Sequence, residues 1–169
     1  MAIIQTTLIA AAALGGLAVA TYLLPRHVTV QRSAVVGAAP SDVLSMAASF
    51  DGYQRFNPYR SADPELKITP FGPPSGVGSG FAFDGKDGKG TQTVASITDT
   101  AVTYAIDMGP MGQPTQVLQA TPSAQGSEVT WTMNADMGFN PVFRVFGLFM
   151  DGMMGKTLDQ GLANLAAAN

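Results

Sequence analysis

Hydrophobic and polar residues change rhythm four times along this chain, and each change predicts a different element. Ile3 to Leu24 is 22 residues without a formal charge. As a helix it would span roughly 33 Å, enough to cross a hydrocarbon core. Pro25 and Arg26 end the run. Val28 to Val36 then alternates, with Val28, Val30 and Arg32 on one face and Thr29, Gln31 and Ser33 on the other, which predicts a first strand. After Pro40, Ser41 to Phe50 reads as a short helix capped by Ser41 or the residue before it. Asp51-Gly52 interrupts it, and Tyr53 to Phe56 adds one turn before Asn57-Pro58 stops it.

From Glu65 onward the period is two. Extended pieces are predicted at Glu65–Phe71, Ser79–Asp84, Gly90–Thr98, Thr115–Thr121 and Glu128–Asp136, with a further strand carrying Val102, Tyr104, Ile106 and Met108 on one face. Gly85-Lys86-Asp87-Gly88 is a hairpin turn. Short strands joined by tight turns indicate an antiparallel meander. The last change is to a period near 3.6. Phe143 to Ala168 has no proline and carries an apolar stripe, which predicts one long helix with Asn140 or Phe139 before Pro141 at its start.

Composition narrows the chemistry. The chain of 169 residues is 46% hydrophobic and 12% charged, with a net charge of −3. An acidic chain without a basic cluster repels phosphate backbones, which argues against nucleic acid as a partner. The absence of cysteine removes disulfides and thiolate sites, and His27 is the only histidine. No metal cluster or catalytic triad can be assembled around it, and no cofactor is expected. The stretch from Gly72 to Gly80 is glycine-rich but lacks the lysine and helix of a phosphate loop, so it reads as a hairpin connection.

The N-terminal run has two readings. Ala18-Val19-Ala20 fits the small-x-small pattern of a cleaved secretory signal. The length of the run, and the lack of Lys or Arg before it, favour an uncleaved single-pass anchor. Residues 1–26 are thus expected to be a membrane anchor and 27–169 the functional domain. Arg26 and Arg32 follow the run, as in a domain held on the cytoplasmic side, but two charges leave the side of the membrane open.

Several stretches in this order are similar to one family. They are Arg32-Ser33 with Ala39-Pro40, Phe56-Asn57-Pro58-Tyr59, Gly72 to Gly78, Val129 to Met133, Gly147-Leu148-Phe149-Met150 and Gly161 to Leu165. Together with the order strand, short helices, meander, long helix, they resemble the START-like (SRPBCC) proteins of the helix-grip fold, in the branch grouped with polyketide cyclases and dehydratases. The resemblance implies an α+β fold whose curved antiparallel sheet wraps around the C-terminal helix and leaves a cavity. Relatives bind lipids, polyketides, hormones or quinones there, and some catalyse cyclisation or dehydration.

The residues offer a lining for such a cavity. Phe56, Tyr59, Phe81, Phe83, Tyr104, Met108, Trp131, Met133, Phe146, Met150, Met153 and Met154 are the candidates. The chain's nine methionines suit an adaptable apolar wall. Asp107, Asp136, Asp151 and Arg144 are the best-placed acid–base groups, with Asn57 and Tyr59 behind them, but no catalytic residue is assigned. The expected function is binding of a hydrophobic small molecule at a membrane surface. A cyclase or dehydratase, and a partner-binding domain using the same groove, stand as alternatives.

Overall fold

A computed structural model of the chain describes residues 21–168. The predicted membrane helix lies outside them except for its last residues. No helix among the described residues is long and apolar enough to cross a membrane.

The seven strands are β1 (His27–Val36), β2 (Lys67–Phe71), β3 (Gly80–Gly85), β4 (Gly88–Ile97), β5 (Ala101–Asp107), β6 (Thr115–Ser123) and β7 (Gly126–Asp136). They form one antiparallel sheet in the order β1-β7-β6-β5-β4-β3-β2. The meander runs in chain order from β2 to β7, and β1 closes onto β7, with His27 opposite Asp136 and Val36 opposite Ser127. A register shift between Val94 and Ser96 in β4 bends the sheet. Alternation sets one face inward: Val129, Trp131 and Met133 of β7, Val102, Tyr104 and Ile106 of β5, and Leu118 and Ala120 of β6 are buried.

Between β1 and β2 come α1 (Pro40–Ala47), α2 (Phe50–Phe56) and α3 (Pro58–Ala62). The break between the first two helices falls at Ala48–Ser49, not at the expected Asp51-Gly52, which lies inside α2. Ser49 is the reason. Its hydroxyl accepts from the Gly52 N–H at 3.1 Å and starts a new helix. Ala39, rather than Ser41 or Pro40, caps α1, with Pro40 in the first turn. Asn57 ends α2 and starts α3, where its side chain accepts from the Tyr59 N–H.

The single C-terminal helix expected over 143–168 is two helices, α4 (Pro141–Gly147) and α5 (Met150–Ala167). At the junction Leu148 and Phe149 bond back only three residues, to Val145 and Phe146. Two docking surfaces with different axes account for the break. Gly147 presses α4 against Val28 and Met137, while α5 packs on β1 and buries Leu158, Leu162 and Leu165. Gly161 lets α5 approach the sheet: a Cβ there would sit 2.4 Å from Trp131 Cζ3. Arg32, on the inward face of β1, holds α5 through Asp151 (2.9 Å) and Asp159 (3.4 Å).

Candidate functional site

The space between sheet and α5 is occupied by the chain's own rings. Tyr53, projecting from α2, is 2% exposed. Its ring centroid lies 4.9 Å from Phe56, 5.4 Å from Tyr104, 5.5 Å from Phe81 and 6.3 Å from Trp131. Phe56 packs edge-on to Trp131 at 5.7 Å. These are the tilted and edge-to-face distances that aromatic quadrupoles favour. A void beside these rings, between α1–α2 and strands β3 to β5 and bounded by Ala47, Phe50, Tyr53, Phe81, Gln92 and Tyr104 among others, measures about 10 Å³. That is room for about one water at most. The expectation of a standing cavity between sheet and helix is therefore corrected: the rings of α2 fill it.

The filled interior is not purely apolar. Gln92 of β4 and Gln116 of β6 are buried with their amides turned inward. The Tyr53 hydroxyl donates to Gln92 Oε1 at 3.2 Å, and Trp131 Nε1–H donates to Gln116 Oε1 at 3.0 Å. Tyr104 donates to the Ala47 carbonyl at 2.8 Å, which pins α1 to β5. Burial pushes the Tyr59 hydroxyl up to about 12, against a hydrogen bond with Gln116 that works the other way. Burial likewise raises Tyr53 and Tyr104 above the ordinary phenol value. All three phenols therefore stay protonated at neutral pH and can donate. Two glutamines among rings cost more to bury than leucines would, unless each amide is satisfied.

The predicted lining residues separate into three groups. Phe56, Phe81, Tyr104, Trp131, Met133 and Met150 are buried in this core, with Phe83 and Met154 partly buried against it and Tyr59 half-buried at Gln116. Met108 lies past the end of β5, near the β3–β4 turn, where its methyl would be 3.8 Å from a Cβ at Gly88. Phe146 and Met153 are 43% and 52% exposed and do not face the interior, because they sit on the outer sides of α4 and α5.

None of the charged candidates reaches the interior. Asp107 is exposed and accepts from the Gly109 N–H at 2.8 Å. Asp136 meets Arg26 at 2.6 Å, and that guanidinium, with the Gly138 N–H, holds its carboxyl well below the usual carboxylate range. Asp151 is lowered by its hydrogen bond to Arg32. Arg144 is buried, but beneath α4, where it donates to the carbonyls of Tyr22, Leu24 and Gly138. Asn57 is buried and donates to Gln54 Oε1 at 3.0 Å, which makes it a helix-junction residue. No group of His, Asp or Glu among the described residues could hold a metal ion.

Pattern reading overlooked Tyr53, Gln92 and Gln116, and two of the three had a signal. Gln92 is in phase with buried Val94, and Gln116 with buried Leu118 and Ala120. The glycine-rich connection lies beside this core, with Ser79 and Gly80 against the small void. It holds the start of α2 through Phe50 N–H to Pro74 and Gly76 N–H to Ala48. A separate open depression of about 350 Å³ lies across α2, α3 and the end of α5, lined by Gln54, Arg55, Asn57, Arg60, Ser61 and Asn164 with Ala167 and Ala168.

A curved sheet gripping a C-terminal helix, with short helices closing its mouth, defines the helix-grip class. Within that class, the chain belongs to the family described as Polyketide cyclase / dehydrase and lipid transport, which it matches over residues 27–168. No curated protein matches it in sequence. Solved structures share the fold at low identity. Ara h 8.0201 is 11% identical with a TM-score of 0.61, covering 84% of this chain and 97% of its own. The protein CV1439 from Chromobacterium violaceum is 14% identical with a TM-score of 0.59, covering 83% and 96%. The di-domain ARO/CYC StfQ from the steffimycin biosynthetic pathway is 12% identical with a TM-score of 0.60, and the match covers 83% of this chain and 50% of StfQ.

Proposed function

We propose that this chain is a membrane-tethered binding domain for an apolar, ring-bearing small molecule that carries a carbonyl or hydroxyl group. The guest takes the place of the Tyr53 and Phe56 rings between sheet and α5. The observation that carries this reading is the pair of buried amides, Gln92 and Gln116, inside a box of aromatic rings. Such a box offers stacking faces, and the amides offer a donor and an acceptor once Tyr53 leaves. Admission requires α2 to move. That helix is only seven residues long, and Ser49 and Asn57 provide a polar joint at each end. The uncharged run of residues 3–24 supplies the tether.

The family also supports an enzymatic reading, cyclisation or dehydration of a polyketone. The interior would serve it with neutral groups, the Tyr53 and Tyr59 hydroxyls and the glutamine amides, which can orient a polyketone's carbonyls. The binding reading asks less of these groups and stands first.

Native mass spectrometry of the full chain, extracted in mild detergent, tests the proposal. An apolar adduct of one molecule per chain, lost on organic extraction, is the expected result. Bare chain only, together with no rise in melting temperature from fatty acids, quinones or anthraquinones, would defeat it.

A further inference from the structure

Exposed large apolar side chains are not scattered over this surface. Among the described residues, ten of fifteen fall in two short stretches, 22–23 and 139–153. Both lie at the end of the β1–β7 ribbon where His27 faces Asp136. A patch so concentrated marks an interaction surface.

Its position is tied to the N-terminal run. Buried Arg144 of α4 donates to the Tyr22 carbonyl at 2.7 Å and the Leu24 carbonyl at 3.2 Å, and its guanidinium lies 5.4 Å from the Tyr22 ring centroid. The uncharged run thus joins the domain against α4. Arg26 covers the ring of Phe139 at 4.8 Å, a pairing suited to the level of lipid headgroups.

The shape of the patch selects its occupant. At 100° per residue, Val142, Phe143, Val145 and Phe146 cover an arc of about 160° around α4. One packed helix, such as residues 3–20 folded back, would cover a stripe of roughly 100°. Arg144 is the only charged residue from Met137 to Met150, and it is turned inward. A continuous apolar medium covers α4 without leaving a charge of its own to desolvate, and the exposed Asp151 beyond it is paired with Arg32.

We propose that α4 lies in the interfacial layer of the same bilayer that residues 3–24 enter, so that the domain is held at two points with its β1–β7 end against the lipid. This rests on the tether in the proposed function, and the experiment separates the two. The chain has no cysteine, so Val142→Cys, Leu148→Cys and, as a distant control in the β6–β7 turn, Gln125→Cys each give one labelling site. Each full-length variant carries a nitrobenzoxadiazole label and is reconstituted in vesicles of phosphatidylcholine and phosphatidylglycerol. Some of the lipids bear doxyl quenchers.

The expected result is blue-shifted emission at 142 and 148, quenched by about twofold or more by shallow doxyl groups, with the label at 125 unaffected. Labels at 142 and 148 that stay in water overturn the proposal, whether or not the chain resists alkaline carbonate. Labels shielded from aqueous iodide but not quenched by doxyl lipid also overturn it, because protein then covers α4. Doxyl quenching in a chain that carbonate strips off upholds the α4 contact and removes the tether instead.

Discussion

Replacing Tyr53 by alanine separates a plugged binding site from an ordinary core. The ring touches four other aromatic residues, and its hydroxyl donates to Gln92. Truncating a large buried aromatic costs about 3–5 kcal/mol. Orphaning the Gln92 acceptor adds about 1 kcal/mol or more. Against a total stability of roughly 5–15 kcal/mol the variant remains folded in most of that range. For a domain of this size, each kcal/mol shifts the melting temperature by about 2–4 °C, so a fall of roughly 10–20 °C is expected.

The removed ring adjoins the existing void of about 10 Å³. The enlarged space approaches the roughly 150 Å³ of a cavity that takes benzene, and the freed Gln92 acceptor can receive the indole N–H. Indole or benzene at a hundred times its dissociation constant returns about 2.7 kcal/mol. The assay is thermal melting of wild type, Tyr53→Ala and Tyr53→Phe, each with and without indole. Indole rescue confined to Tyr53→Ala is expected, with Tyr53→Phe losing only about 1 kcal/mol for its hydrogen bond. Equal indole shifts in all three proteins, or a Tyr53→Ala variant that melts with wild type, would refute the role given to this ring.

Three further outcomes follow from the same packing. Gly161→Ala destabilises by about 1–3 kcal/mol in chemical denaturation, because its methyl meets the fully buried Trp131, whereas Gly152→Ala in the same helix meets nothing and gains up to about 1 kcal/mol. Gln116→Leu strands the Trp131 N–H and costs about 1–3 kcal/mol despite added apolar surface, and a neutral or stabilising result would remove the amide's structural role. Asp136 has its folded pKa depressed, so its contribution is whole above the ordinary 3.8 and is lost as pH falls below it. The melting gap between wild type and Asp136→Asn should be open at pH 6 and close in acid; a gap independent of pH would contradict the Arg26 pairing.

Most strands were legible in the sequence because their buried face alternates cleanly. Val129, Trp131 and Met133 point inward, with Glu128 and Asn134 outward, as period two requires. The filling of the interior was not legible. It depends on the angle at which α2 enters, which Ser49 sets through a local cap and the Ser49–Ser75 bridge sets from a distant loop. Gln92 and Gln116 were hidden by their chemistry, since a strand glutamine reads as an outward position even where, as here, it is in phase with buried apolar neighbours. Phe146 and Met153 misled for the opposite reason: an apolar helix residue reads as buried, and nothing local distinguishes a core face from one turned outward. The break after Gly147 arises from two docking surfaces, neither encoded within the helix itself.

The central claim is that the ring-filled interior yields to a guest, and Trp131 reports on it directly. It is the only tryptophan in the chain, fully buried, with its indole N–H held by Gln116. Titrating the full-length protein with an anthraquinone and following Trp131 emission should give saturable quenching at one molecule per chain, tighter in Tyr53→Ala than in wild type. Emission that stays constant in both proteins, or falls linearly without saturation, would mean that the interior between sheet and α5 is a closed core and not a binding site.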